Sequence, residues 1–176
     1  MHGEPWLSAG VGVTLTAMGR FLLFLFTTAS FVFAGQKPAA VVPPVAAPGP
    51  YAVVKQLFAA MQARDALAAK ELFVPDASLF SLTASGKAVK MPLIDFLDAI
   101  GSGKTPWKER MWDELVKEHG AIAIVWGPYD FHNGDTFSHC GYDSFSLLKT
   151  AAGWKITYIS DTRETGNCTN PIGPPL

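Results

Sequence analysis

The chain has only two cysteines, Cys140 and Cys168, and neither stands in a CxxC pair or among closely spaced histidines. A thiolate-held metal centre is therefore disfavoured, and no metal is expected. Runs of lysine or arginine are also missing. The 14 basic residues face 15 acidic ones, for a formal net charge of −1, and without a concentrated basic face nucleic acid is not an expected partner. No nucleophile elbow, phosphate-cradling glycine loop or dinucleotide fingerprint occurs, which argues against covalent hydrolysis, kinase chemistry and nicotinamide redox, and no cofactor is expected. The apolar run after Arg20, FLLFLFTTASFVFA, is fourteen residues long, shorter than the roughly 20 a membrane-spanning helix needs, and no basic stop-transfer cluster follows it.

That run has the form of a signal peptide occupying residues 1–34, with Val32-Phe33-Ala34 supplying the small residues of a cleavage site and Gly35 opening the mature chain. Met18, just before Gly19-Arg20, is an alternative translation start. The expected destination is the periplasm or the exterior of a bacterium, with no stable membrane anchor left after cleavage. Residues 35–50 form a Pro/Ala-rich linker. It holds five prolines, which fix φ and remove backbone donors, among alanines and valines too small to build a core. Residues 51–165 then make one domain of about 115 residues, enough for one core and not two, followed by a tail at 166–176.

The strongest pattern lies in IAIVWGPYDFHNGDTFSHCGYDSFSLLKTAAGWKITYISDTRET. Asn133-Gly134 separates two apolar and aromatic runs, and Ala151-Ala152-Gly153 closes a second turn before WKITYI, so three long antiparallel strands are expected. Upstream, YAVVKQLFAAMQAR places Val54, Leu57, Phe58 and Met61 on one face of a helix. Asp65 can cap a second short helix, ALAAKELF, ending before Pro75. A strand around Ser78 to Thr83 and a turn at Ser85-Gly86-Lys87 come next. Pro92 suits the first turn of a third helix, PLIDFLDAI, stopped by Gly101-Ser102-Gly103. WKERMWDELVKEH (107–119) has helical propensity without a clean apolar face; read as a strand turning through Gly120, it completes a four-stranded meander.

Helix, short helix, strand, helix and then long antiparallel strands resemble the nuclear transport factor 2-like superfamily. VWGPYDF, FSHCGYDSFSLLKT and GWKITYISDTR resemble its small exported bacterial members described as lumazine-binding-like. The resemblance implies an α+β cone, with three N-terminal helices packed on a strongly curved, mainly antiparallel sheet. It further implies a ligand pocket in the cone and frequent homodimers through the outer sheet face, for which Tyr142, Leu148 and Ile159 are the expected outward residues. The superfamily includes enzymes and binding domains on one scaffold, so it names no activity.

Strand alternation puts Phe137, His139, Gly141, Asp143, Phe145 and Leu147 on one face, taken as inward. Counting from the turn sets Asp143 opposite Ser160, Phe145 opposite Tyr158 and Leu147 opposite Ile156, provided no bulge intervenes. His139, Asp143 and Tyr158 are the candidate catalytic residues, a base with its carboxylate and an oxygen-polarising hydroxyl. Equally, His139 could bond a strand-edge carbonyl and Asp143 cap the sheet. Trp112, Trp126, Tyr129, Phe145 and Ser160 are the candidate pocket lining, for a small, partly aromatic ligand. Asp161 and Arg163 are read as an exposed pair on the opposite face, His132 as solvated at a hairpin tip, and His139 as lying near Pro128. The same count puts Cys140 nearly opposite Arg163, close enough for Cys168 to fold back and form a disulfide; two inert thiols are the other possibility. The functional expectations are an exported small-molecule-binding protein, a cofactor-independent lyase or isomerase, or a dimerising module with a filled core.

Overall fold

The computed structural model describes residues 48–166 and Cys168. The expectations about the signal segment, the start at Met18, most of the linker and most of the tail lie outside the described residues. Three helices, α1 (Pro50–Ala63), α2 (Ala66–Lys70) and α3 (Leu93–Ser102), accompany seven strands. These are β1 (Phe73–Leu82), β2 (Ala88–Pro92), β3 (Trp107–Met111), β4 (Leu115–His119), β5 (Ile122–Asn133), β6 (Thr136–Thr150) and β7 (Gly153–Thr162). They form one curved mixed sheet in the order β2-β1-β7-β6-β5-β3, with β4 also on β5. Among the described residues only the β1–β7 pairing is parallel.

Each helix follows from local chemistry. Pro50 opens α1, where its missing N–H costs nothing. Val53, Val54, Leu57, Phe58 and Met61 turn inward, and Arg64 ends the helix in the left-handed region at φ 59°. Asp65 caps α2 by accepting the Ala68 N–H at 2.9 Å. That helix is shorter than ALAAKELF: it stops at Lys70, and β1 already runs through Pro75. In α3, Phe96, Leu97 and Ile100 are buried while Ile94 is exposed, and the helix runs through Gly101 and Ser102 to a cap at Gly103.

The segment 107–119 is two strands rather than one. Both pair with β5, with β3 on Tyr129–Asn133 and β4 on Ile122–Trp126. Between them the chain leaves the ladder along the same edge of β5 opposite Gly127, where a Cβ would lie 3.1 Å from the Trp112 carbonyl and 3.2 Å from Glu114 Cα. Pro128 lies at the same break, so its absent N–H leaves no ladder bond unmade, while its carbonyl accepts the Trp112 N–H at 3.2 Å. Asp113 absorbs the turn at φ 46°.

In the β5–β6–β7 hairpins, two bulges decide which side chains face the helices. In β7, Ser146 pairs with Tyr158 but Leu147 with Ile156, leaving Thr157 extra; its hydroxyl donates to the Ser146 carbonyl at 3.0 Å. Leu147 thus keeps its expected partner, whereas Phe145 faces Ile159 and Asp143 faces Asp161. In β6, Phe131 pairs with His139 but His132 with Phe137, leaving Ser138 extra. His139 is therefore opposite Phe131, and Pro128 is opposite Tyr142. Phe137 leaves the inward set and packs edge-on against His132 at 5.6 Å. His132 is not solvated: it is 2% exposed, with Nδ1 3.8 Å from Asp130 Oδ1, and Asp130 is itself held by Arg110 at 2.7 Å.

The core joins α1 and α3 to the inner sheet face through Val54, Leu57, Ile100, Val125, Phe145, Leu147 and Ile156. Cys140 and Cys168 form a disulfide with Cα atoms 5.8 Å apart. Closing its 28-residue loop contributes about 3–4 kcal/mol in the chain-entropy account.

Candidate functional site

A cavity of about 370 Å³ opens between the helices and the inner face of the sheet. Its body is apolar: Leu57 and Met61 from α1, Phe96 and Ala99 from α3, and Trp107, Phe131, Phe145 and Ile159 from the strands. Its other end gathers Glu109 from β3, Tyr129 from β5, Ser138, His139 and Asp143 from β6, Asp161 from β7, and Arg163 just beyond. The Thr157 bulge makes this end. It turns Ile159, Asp161 and Arg163 inward, and so Asp161 and Arg163 are a cavity pair rather than an exposed one.

Asp161 is saturated with donors. Ser81 Oγ donates at 2.6 Å and Arg163 Nε at 2.8 Å, and the Tyr129 hydroxyl stands 3.2 Å from Asp161 Oδ2 and 2.9 Å from the Thr162 carbonyl. Burial, reinforced by the negative charges of Asp143 and Asp161, holds the Tyr129 proton far more tightly than usual. Asp143 is the opposite case. It is 3% exposed, and its Oδ2 has no hydrogen-bond partner among the described residues. Its carboxyl lies near enough to that of Glu109 for each to shift the other's proton affinity. Burial first, and then the neighbouring carboxyl, raises Asp143 well above the ordinary carboxylate range. Burial likewise pushes Glu109 up to about 7, Asp143 and Arg163 opposing and Asp161 adding to the rise. Two carboxyls this close cannot both ionise readily, so the pair keeps a proton toward neutral pH.

His139 is held apart from that pair. Its ring stacks on Phe131 at 4.9 Å, meets Tyr129 edge-on at 5.8 Å, and its Nδ1 lies 3.0 Å from Ser138 Oγ. Burial, assisted by Arg163, lowers it to about 4, so it is a neutral imidazole at pH 7.

Of the expected site residues, the cavity brings together His139, Asp143, Tyr129 and Phe145. Tyr158, Ser160 and Trp126 are elsewhere, because the Thr157 bulge turns Tyr158 and Ser160 to the outer face, which Trp126 also occupies. They line a second cavity there, of about 340 Å³, with Phe80 and Tyr142. In it Phe80 stacks on Tyr158 at 5.7 Å and Trp126 on Tyr142 at 4.7 Å. Trp112 sits half-buried at the break between β3 and β4 and lines neither cavity. Ile159, expected outward, is 8% exposed on the inner face, whereas Tyr142 and Leu148 are 39% and 44% exposed. The residue missed altogether is Glu109. Its signal was the Trp107-x-Glu109-x-Met111 alternation, an acid flanked by two bulky apolar residues on one strand face.

The family described as "Putative lumazine-binding" matches residues 51–158, spanning α1 to β7. The chain belongs to that family. Its fold is the nuclear transport factor 2-like, cystatin-like α+β architecture. Among solved structures, a nuclear transport factor 2-like protein of unknown function from Shewanella baltica superposes with a TM-score of 0.52 at 17% identity, over 66% of this chain and 91% of that one. A nuclear transport factor 2-like protein with a cystatin-like fold from Novosphingobium aromaticivorans gives 0.52 at 16% identity, over 66% and 80%. One from Silicibacter pomeroyi, of unknown function, gives 0.52 at 17% identity, over 65% and 92%. At these identities the likeness speaks to the fold alone. No curated protein matches the chain. Membership of a lumazine-binding-like family suggests small-molecule binding, and the cone of this family member contains a cavity of suitable character.

Proposed function

We propose that this chain is an exported bacterial protein that binds a small, partly aromatic molecule in the cone of its sheet. The observation that carries the reading is the 370 Å³ cavity, walled by apolar side chains and closed at one end by polar ones. That combination accommodates a flat body and orients it by a few hydrogen bonds. The localisation rests on the fourteen-residue apolar run and the small residues after it. Exposed Ile122, Ile124, Trp126, Tyr142 and Leu148 on the outer face support self-association as a homodimer.

The test is native mass spectrometry of the mature protein from its own host, recorded gently and again after denaturation. A small molecule released on denaturation, and lost in Ala99→Phe, which fills the cavity, is the expected result. A molecule retained equally by Ala99→Phe would sit elsewhere and overturn the assignment to the cone.

One observation favours a second reading, a cofactor-independent lyase or isomerase. A carboxyl pair holding a proton near pH 7 is suited to proton transfer. In that case Asp143 and Glu109 handle the proton, and Tyr129 replaces Tyr158 as the hydroxyl nearest the chemistry. Turnover of the released molecule, abolished by Asp143→Asn, would favour it over simple binding.

A further inference from the structure

Charge at the polar end of the cavity is unevenly matched. Arg163 is the guanidinium there, and it is committed to Asp161 at 2.8 Å, with Ser81 and Tyr129 occupying the rest of that carboxylate. Among the described residues, no lysine, arginine or histidine forms an ion pair with Glu109 or Asp143. Helices α1 and α3 present Leu57, Met61, Phe96 and Ala99 to the cavity and no charge. The other titratable or charged groups facing the pair are Asp161, Arg163 and Tyr129, with Asp130 acting on Glu109 from the outer face of β5 and His139 farther along the cavity. One carboxylate oxygen, Asp143 Oδ2, is buried on a cavity-lining residue with no partner among the described residues. Leaving such an acceptor bare costs free energy that a donor from a ligand would recover.

We propose that the Glu109–Asp143 end of the cavity is a cation subsite, taking an amidinium or similar N–H-bearing cationic group carried on a flat, apolar body. The proposal rests on the small-molecule-binding reading of the same cavity and names its ligand class. An amidinium offers two parallel N–H donors, which match a carboxylate in the bidentate manner, and its aromatic body lies against Phe96, Trp107 and Phe131. The cation takes the place of the proton. The free pair retains a proton toward neutral pH, binding favours the ionised carboxyls, and the displaced proton leaves to solvent as the ligand enters. Affinity therefore rises with pH, and an anionic analogue of identical shape is repelled.

The test uses the mature chain with its disulfide intact and three probes of one shape: 2-naphthamidine, 2-naphthamide and 2-naphthoate. Isothermal titration at pH 5.5 and pH 8, each in two buffers of different ionisation enthalpy, reads affinity and proton release together. The amidine should bind at least tenfold more tightly than the amide at pH 8, with no measurable naphthoate binding. Its affinity should fall severalfold or more at pH 5.5, with net proton release at the lower pH. Asp143→Asn and, separately, Glu109→Gln should each erase the preference for the amidine while the amide still binds. Equal or tighter binding of the amide or naphthoate would overturn the cation subsite and leave the small-molecule cavity standing. Amidine binding that survives both carboxyl variants, or no amidine binding at all, would also overturn it. Ala99→Phe distinguishes the two failures, since probe binding that it does not weaken lies outside the cone.

Discussion

Replacing Asp143 by Asn should leave the protein at least as stable as the parent at pH 8, although it removes a fully buried charged residue. The expectation follows from the raised carboxyl pair. Moving Glu109 from 4.5 to about 7 corresponds to about 3 kcal/mol. Because the folded-state value is raised, the associated stability is fully present below about pH 4.5 and is lost as pH rises through about 7. His139 works in the other direction. It is lowered from 6.5 to about 4, so its contribution is present above about 6.5 and disappears as pH falls toward 4. The two slopes oppose each other between about pH 4.5 and 6.5, and the carboxyl loss stands alone above that. The useful quantity is therefore the difference between parent and variant, from which His139 cancels. Urea unfolding followed by tryptophan fluorescence at pH 5, 6.5 and 8 supplies it. The variant should gain on the parent by about 1–3 kcal/mol between pH 5 and pH 8, because Asn keeps the shape of Asp143 and removes a buried carboxyl whose own raised titration costs stability as pH rises. A difference that stays constant with pH would refute the shared-proton account, as would a variant that loses ground as pH rises.

Two further expectations rest on geometry alone. A Cβ on Gly141 would lie 2.0 Å from the Thr162 carbonyl, a backbone atom that cannot step aside. Gly141→Ala should therefore cost roughly 3 kcal/mol or more in a thermal or urea melt, whereas Gly166→Ala, which meets nothing, should be neutral within about 0.5 kcal/mol. On the outer face, Trp126→Lys breaks the stack with Tyr142 and places a charge among exposed Ile122, Ile124 and Leu148. It should convert a homodimer to monomer in light scattering at micromolar concentration, and a parent chain that is already monomeric there would remove the homodimer proposal.

How much of this was legible beforehand divides along one physical line. Asn133-Gly134 and the turn ending at Gly153 speak through backbone chemistry: Gly134 and Gly153 adopt φ 59° and 95°, conformations few other residues hold cheaply. Asp65 as a cap and the buried stripe of α1 are equally local, being set within a few residues of chain. The inward face of β6 from His139 to Leu147 followed from alternation alone, and so His139, Asp143 and Phe145 were placed together in advance.

Sequence by itself determined the three helices, the two hairpins of the last three strands and half of the cavity, because those depend on spacing and turn chemistry within one segment. Tertiary structure decided the other half. A single extra residue in a strand, Thr157, reverses every side chain beyond it, and nothing in GWKITYISDTR marks that threonine as the bulge; its hydroxyl finds the Ser146 carbonyl only once β6 is alongside. That one residue sent Tyr158 and Ser160 outward and brought Asp161 and Arg163 in. Glu109 reached Asp143 because β3 and β6 flank β5 in the sheet and both residues line the cavity on its inner face, an encounter of residues 34 positions apart in the chain. Which carboxyls meet, and therefore where the proton sits, is a property of packing between strands, and no segment carries it alone.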